Sequence, residues 1–285
     1  RIMFPEQFVF DFAQQLNDWM DALILAYGDQ FGAFSDHLTL GIVKVEALLR
    51  QSPWWLVVLV IGGISYLFSR KVMMSFSLMG VMISVGVLGL WDQGMQTLAL
   101  MLMSAMCVVI LGIPVGIVMA RNDWFRRMAL PILDGMQTLP TFVYLIPAIM
   151  LFGLGKVPAL LATVVYAVPP LIRMTDLGIR MVDREIVEAS NSFGADSKQL
   201  LWGVQFPLAL PNIMAGVNQS TMMALSMVVL SSMIGARGLG EQVLLGIQRL
   251  NVGQGLQGGL AIVALAIVLD RLTQNLGRDH AKDSH

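Results

Sequence analysis

The chain has 285 residues, 56% hydrophobic and 13% charged, with a mean hydropathy of +0.71 and a formal net charge of −1. Soluble domains carry about a quarter charged residues, so much of this apolar surface has to face something other than water. A near-neutral balance also excludes a nucleic-acid partner, which selects a basic face.

Residues 6–50 precede the first long apolar stretch. Phe8, Phe12, Leu16, Trp19, Leu23 and Tyr27 recur at helical spacing, with Gln7, Asp11, Gln14, Asp18 and Asp21 on the other side. This pattern predicts an amphipathic helix ending near Gly28, and a second one after a Ser35-Asp36 cap, through Leu38, Ile42, Val45 and Leu49. Such helices either form a small soluble cap or lie on a membrane surface and brace the spans. The second reading is preferred, because no other soluble sequence is present for them to pack on.

A helix crossing the hydrocarbon needs about 20 apolar residues. Seven stretches come near that length: Pro53–Phe68, Val72–Leu90, Thr97–Ala120, Ala129–Phe152, Val157–Leu177, Leu208–Ile234 and Gly258–Leu276. Prolines predict breaks: Pro140 and Pro147 in the fourth, Pro169-Pro170 in the fifth, and a bend at Pro114 in the third. Gly112-x-x-x-Gly116 permits close contact between helices. With the N-terminus outside, twelve of the 18 lysines and arginines fall on the cytoplasmic side, as the positive-inside rule favours. The C-terminus is then cytoplasmic, and so is the polar insert at 178–206.

Cys107 lies in an apolar span, and a lone cysteine forms no intrachain disulfide and has no metal-site spacing. His37, His280 and His285 share no ligand spacing. Gly155-Lys156 is followed by Val157, so it is not a phosphate-binding loop. No catalytic constellation, metal site or cofactor is expected in this chain.

The polar insert carries the most specific signal. Asp183 can cap a helix with Glu185 in its first turn, where the helix dipole favours acid. Ala189 and Ser190 are small enough for close approach to a partner. Gly194 allows the left-handed turn that ends the helix. Asp196-Ser197 caps a second helix running through Leu200, Leu201 and Val204 to Pro207. Glu188-Ala189-Ser190, three residues, Gly194, nine residues, then Val204-Gln205-Phe206-Pro207 resembles the cytoplasmic loop by which ABC-importer permeases dock on their ATPase subunit. Ser190, Val204 and Phe206 depart mildly from that family's pattern. The segments Asp134–Pro158, Ala167–Ile179, Pro207–Gly240, Leu245–Gly253 and Leu269–Asp279 are similar to the permeases of glycine betaine/proline betaine importers.

The resemblance implies an all-α polytopic membrane protein with a type I ABC importer transmembrane domain. About seven transmembrane helices would follow the amphipathic N-terminal helices. The expected division is 1–52 as external surface helices, 53–90 as two peripheral spans, 91–279 as the core permease with its coupling loop, and 280–285 as a cytoplasmic tail. It implies a multi-pass protein of the bacterial cytoplasmic (inner) membrane that is not itself an enzyme. Its partners would be a second copy of the chain, two ATPase subunits that bind ATP and Mg, and a separate substrate-binding protein. The implied cargo is a quaternary-ammonium osmoprotectant taken up under osmotic stress. An ion-coupled secondary transporter, or an ABC permease for choline, carnitine or a sulfonium osmolyte, are the competing readings.

The ATPase-coupling residues expected are Glu185, Glu188, Ala189, Ser190, Gly194, Val204 and Pro207. Asp134, Gln137, Thr138, Asn218 and Gln219 are polar within spans, where they either line a path or glue helices together. Met136, Tyr144, Met222 and Met223 are candidate gate residues. The path is expected along Thr97–Ile234 at a twofold interface, with the glycine-rich loop Gly235–Gly240 near its outer mouth.

Overall fold

A computed structural model of the chain describes residues 12–279, with side chains through Gln274. The first residues of the expected amphipathic helix and the 280–285 tail lie outside the described residues. All regular structure among the described residues is helical.

Helix α1 is one continuous helix, Phe12–Gln51, rather than two. Gly28 and Ser35-Asp36 lie inside it. Each interior glycine costs a helix only about 1 kcal/mol, and no proline lies between Phe12 and Pro53. The Phe12, Leu16, Trp19 and Tyr27 side is exposed, whereas Ile42 and Glu46 are buried. α2 (Trp54–Ser69) leaves α1 at 104°. It returns through α3 (Val72–Val87). At 16 residues each, these two helices are about 24 Å long, less than the roughly 30 Å of a hydrocarbon core.

The centre is built from α4 (Trp91–Arg121), α7 (Lys156–Arg180) and α10 (Phe206–Leu230), with α7 packed between the other two. Gly116 brings α4 so close to α7 that a Cβ there would sit 2.5 Å from the Cβ of Thr175 and 2.9 Å from the carbonyl of Ile172. Gly216 does the same for α10 against α7, 2.7 Å from the Cβ of Met174. This packing explains why Pro169-Pro170 lie inside an unbroken helix, contrary to expectation: buried neighbours on both sides hold α7 continuous, and Pro114 likewise sits within α4. Only the fourth expected span breaks. α5 (Asp123–Thr138) and α6 (Thr141–Phe152) meet at 98° across Leu139-Pro140, while Pro147 sits within α6.

α8 (Arg184–Ser192) and α9 (Ser197–Leu200) form the polar hairpin. A π-helical stretch, Leu201–Gln205, leads from α9 straight into α10, so the hairpin's second arm and the next span are one continuous rod. Pro207 lacks an N–H, and the wider π turn just before it absorbs that defect. A short 3₁₀ turn (Ser231–Ile234) then precedes α11 (Leu239–Gln248) and α12 (Val252–Asp279). The loop Gly235–Gly240 is tightly turned and anchored: Gly235 has φ 86°, and the Leu239 N–H donates to the Thr97 hydroxyl at 2.8 Å.

Two apolar cores are stacked along the bundle. One gathers Ile42, Met82, Met95, Leu160 and Leu265, and the other Met119, Leu171, Leu201 and Ile213. Four helices are long and apolar enough to cross a membrane, or up to six if each bent pair is one span. Of the seven expected stretches, α2 and α3 are the short ones.

Candidate functional site: the polar hairpin and the broken helix

The hairpin is built by its caps. The Asp183 carboxylate accepts from the Glu185 N–H at 2.9 Å and starts α8. Gly194, at φ 84°, turns the chain. Asp196 then accepts from the N–H groups of Lys198 and Gln199, and the Gln199 side chain accepts from the Asp196 N–H, a reciprocal box that starts α9. α8 buries none of its residues against the rest of the chain. Glu188 pairs with Arg184 at 3.0 Å, Ala189 is exposed, and the Ser190 hydroxyl donates to the Ile186 carbonyl at 2.8 Å. Phe193, at the turn, is 93% exposed, with Ile186 also outward. Val204 is half-buried and Pro207 exposed, both in the stem. The seven expected coupling residues therefore divide into a tip of five and a stem of two.

The hairpin is fastened to the bundle by residues that sequence reasoning treated only as charges to be counted. Arg121, at the end of α4, donates to the Ser197 carbonyl at 2.6 Å. Asp176 on α7, buried within a span, accepts from Arg126 on α5 and from Arg180, each at 2.9 Å. Arg180 also reaches Asp123 at 2.6 Å and the Met119 carbonyl at 3.0 Å. The ends of α4, α5 and α7 are thus tied together beneath the hairpin. A hollow of about 440 Å³ lies between hairpin and bundle, lined by Arg121, Arg180, Val187, Leu200 and Gln205 among others. An acid inside an apolar span with an arginine four residues on is the signal that could have found this network.

The candidate pathway residues have separate surroundings. Tyr144 donates its hydroxyl to the Met136 carbonyl, closing the α5–α6 break from within. Gln137 is exposed beside that break. Asn218 donates to Asp270 on α12 at 3.2 Å and accepts from Thr273, so it joins α10 to α12. Gln219, next to it, is exposed. Met222 is half-buried, its carbonyl accepting from Ser226, and Met223 packs against the second core. Asp270, which the sequence reading passed over, is an acid in the last apolar span.

Residues 112–281 match the family model of the binding-protein-dependent transport system inner membrane component. The chain belongs to this family. It is 48% identical over 234 residues to the glycine betaine/proline betaine transport system permease protein ProW of Escherichia coli (strain K12), covering 82% of this chain and 66% of that one. It is 40% identical over 264 residues to the glycine betaine transport system permease protein OpuAB of Bacillus subtilis (strain 168), covering 93% of each. The glycine betaine/carnitine transport permease protein GbuB of Listeria monocytogenes is 46% identical, covering 91% of this chain and 94% of that one. The chain thus spans about two thirds of the length of the Escherichia coli relative and nearly all of the other two. Among solved structures, the inward-facing MetNI methionine ABC transporter aligns with a TM-score of 0.60 at 21% identity, over 65% of this chain and 93% of that one, a likeness of fold. The matched family region contains the hairpin, the α7–α10 packing and the broken α5–α6 pair; α1–α3 precede it.

Proposed function

We propose that this permease is the membrane subunit of an ATP-driven importer of small quaternary-ammonium osmolytes, most simply glycine betaine. The observation that carries the coupling role is the hairpin. It is capped at both arms, continuous with a span through α10, and presents an unburied α8 with Phe193 outward. Such a lever can receive a push from a soluble motor and pass it to α10 and, through Arg121 and the Asp176 network, to α4, α5 and α7. The tip residues Glu185, Glu188, Ala189, Ser190 and Gly194 meet the ATPase, and Val204 and Pro207 transmit from the stem. The relatives named for glycine betaine, proline betaine and carnitine transport support the cargo class.

The transporter in this reading is two copies of the chain with two ATPase subunits, which bind ATP and Mg and perform the hydrolysis. A separate binding protein delivers the solute on the side opposite the hairpin. The hairpin and the C-terminus face the cytoplasm and the N-terminus lies outside, in keeping with the distribution of lysine and arginine. The path runs at the twofold interface along Met136, Gln137, Tyr144, Gln219, Met222 and Met223, while Asn218 holds α10 to α12.

The test reconstitutes permease, ATPase and binding protein in vesicles and offers labelled glycine betaine, carnitine, histidine and maltose with ATP. ATP-dependent uptake of betaine is expected. Uptake of histidine or maltose without betaine would overturn the cargo and leave the importer standing; carnitine alone would narrow the class. Equal uptake without ATP would sink the ATP-driven reading in favour of an ion-coupled carrier.

A further inference from the structure

The α5–α6 break lies on an open face of the chain. Asp134, Gln137, Thr138, Leu139 and Pro140 are all exposed. Non-helical backbone at membrane depth survives only when it is buried in protein or lines an aqueous cavity. Within this chain the break is not covered, so at membrane depth it would border a water-filled space or another subunit. At that face Arg173 of α7 donates to the carboxylate of Asp134 through one nitrogen, Nη2. Its Nε is closed off from solvent and bonds to no group among the described residues.

Two ion-paired acids on the same helix bundle therefore differ in kind. The Asp176 side chain is 3% exposed and takes a guanidinium on each oxygen. That is a saturated, structural arrangement. The Asp134 side chain is 65% exposed and the Arg173 side chain 32%, and only one bond joins them. A guanidinium binds a carboxylate best through two parallel N–H donors, and an unsatisfied buried donor is a standing cost of about 1–3 kcal/mol. The Arg173–Asp134 pair is the one built to be exchanged.

We propose that Arg173 and Asp134 form a transient site for a zwitterionic solute in the translocation path. The solute's carboxylate takes Nη2 of Arg173 in place of Asp134, and its onium group lies against the released carboxylate of Asp134. This assignment rests on the cargo reading above and adds to it where in the permease the solute is held. Charge bookkeeping selects the class. A lone cation at Asp134 would leave Arg173 without its counter-charge, and a lone anion at Arg173 would leave Asp134 without its own. A molecule carrying both charges replaces both partners at once, and the site stays neutral before, during and after passage. Gln137 and Thr138, exposed on the next turn of α5, supply polar contacts that need not be broken in a fixed order.

The whole transporter in vesicles tests this. The unaltered assembly has to take up labelled glycine betaine; if it does not, the cargo reading falls and this site with it. Given uptake, Arg173→Gln and the double variant R173M/D134L are compared, the double variant offering an uncharged α5–α7 contact that keeps the helices packed. Both are expected to assemble and to retain ATP hydrolysis stimulated by the loaded binding protein, while moving about tenfold less betaine per ATP, a loss near 1.4 kcal/mol. An unchanged betaine-to-ATP ratio in the double variant would assign the pair to packing alone and overturn the site, with the cargo untouched. Loss of assembly in both variants would do the same.

Discussion

Helices α4, α7 and α10 touch one another through backbone, at Gly116 and Gly216, whereas α1 touches the same bundle through side chains. Phe31 and Phe34 of α1 lie against Phe152 of α6, with ring centroids 5.6 and 6.2 Å apart. Glu46 of α1 accepts from Lys156 at the start of α7 and from Arg50 at 3.1 Å, and Arg50 in turn reaches Asp92 at the start of α4 at 2.5 Å. The two regions are thus held by different means. Interlocked backbones forbid sliding and make α4, α7 and α10 move as one piece. Side-chain clamps tolerate small shifts, as a brace around a moving core must. The clamp ties the starts of α4 and α7, and the Asp176 network ties their ends, so both helices run from clamp to hairpin and the bundle is fastened at both extremities.

Breaking the inner fastening should have the larger effect. Asp176→Ala removes the acid that joins Arg126 to Arg180 and leaves Arg180 with only the exposed Asp123 and the Met119 carbonyl. The two guanidiniums left behind are 37% and 31% exposed, so the loss is below that of a fully buried pair, about 2–3 kcal/mol. Thermal unfolding of the purified permease in detergent should show a large drop in midpoint, with loss of the assembled transporter. A variant as stable as the parent would mean that α4, α5 and α7 are held by apolar packing alone.

Breaking the clamp should do less. Glu46→Gln removes the charge between Lys156 and Arg50, but both cations reach solvent in part and Arg50 keeps Asp92. Glu46 is buried, but glutamine keeps its shape and one acceptor oxygen, and the cations are 27% and 42% exposed, so a fall in stability of about 1 kcal/mol is expected, with uptake within about twofold of the parent. Loss of uptake without loss of stability would make α1 part of the moving machinery and erase the contrast between the two regions.

The sequence disclosed the two regions unequally. The caps of the hairpin were legible, because caps are local chemistry: Asp183, Gly194 and Asp196 do what their side chains and backbone freedom dictate within three or four positions, whereas the π stretch that fuses the second arm to α10 was not. Four of the seven expected spans, in α4, α7, α10 and α12, were legible from apolar length, whereas α2 and α3 are short and the fourth stretch is broken. The continuity of α1 was not, since Gly28 and Ser35-Asp36 are stop signals only where nothing overrides them, and the helix-forming residues on both sides do. Pro169-Pro170 misled for a tertiary reason, the packing of α7 between two glycine-bearing neighbours. The Arg173–Asp134 and Arg126–Asp176 pairs link positions 39 and 50 apart in sequence; the Asp176-Arg180 spacing hints at the second, and no local pattern names the partner helix of either.

The smallest expected change in stability belongs to the hairpin tip, and it separates fold from function most cleanly. Phe193 is almost wholly exposed and lies in neither apolar core. Surface substitutions of this kind fall within about 0.5 kcal/mol, so Phe193→Ala should leave the unfolding midpoint where it was. An exposed aromatic at the turn of an unburied helix is, however, the kind of anchor that dominates an interface once a partner closes over it, at about 2 kcal/mol or more. If the tip docks on the ATPase, the variant permease should retain less ATPase subunit on co-purification, and uptake should fall with that loss. Full retention of the ATPase together with unchanged uptake would remove Phe193 from the contact and turn attention to Glu188 and Ala189 of α8.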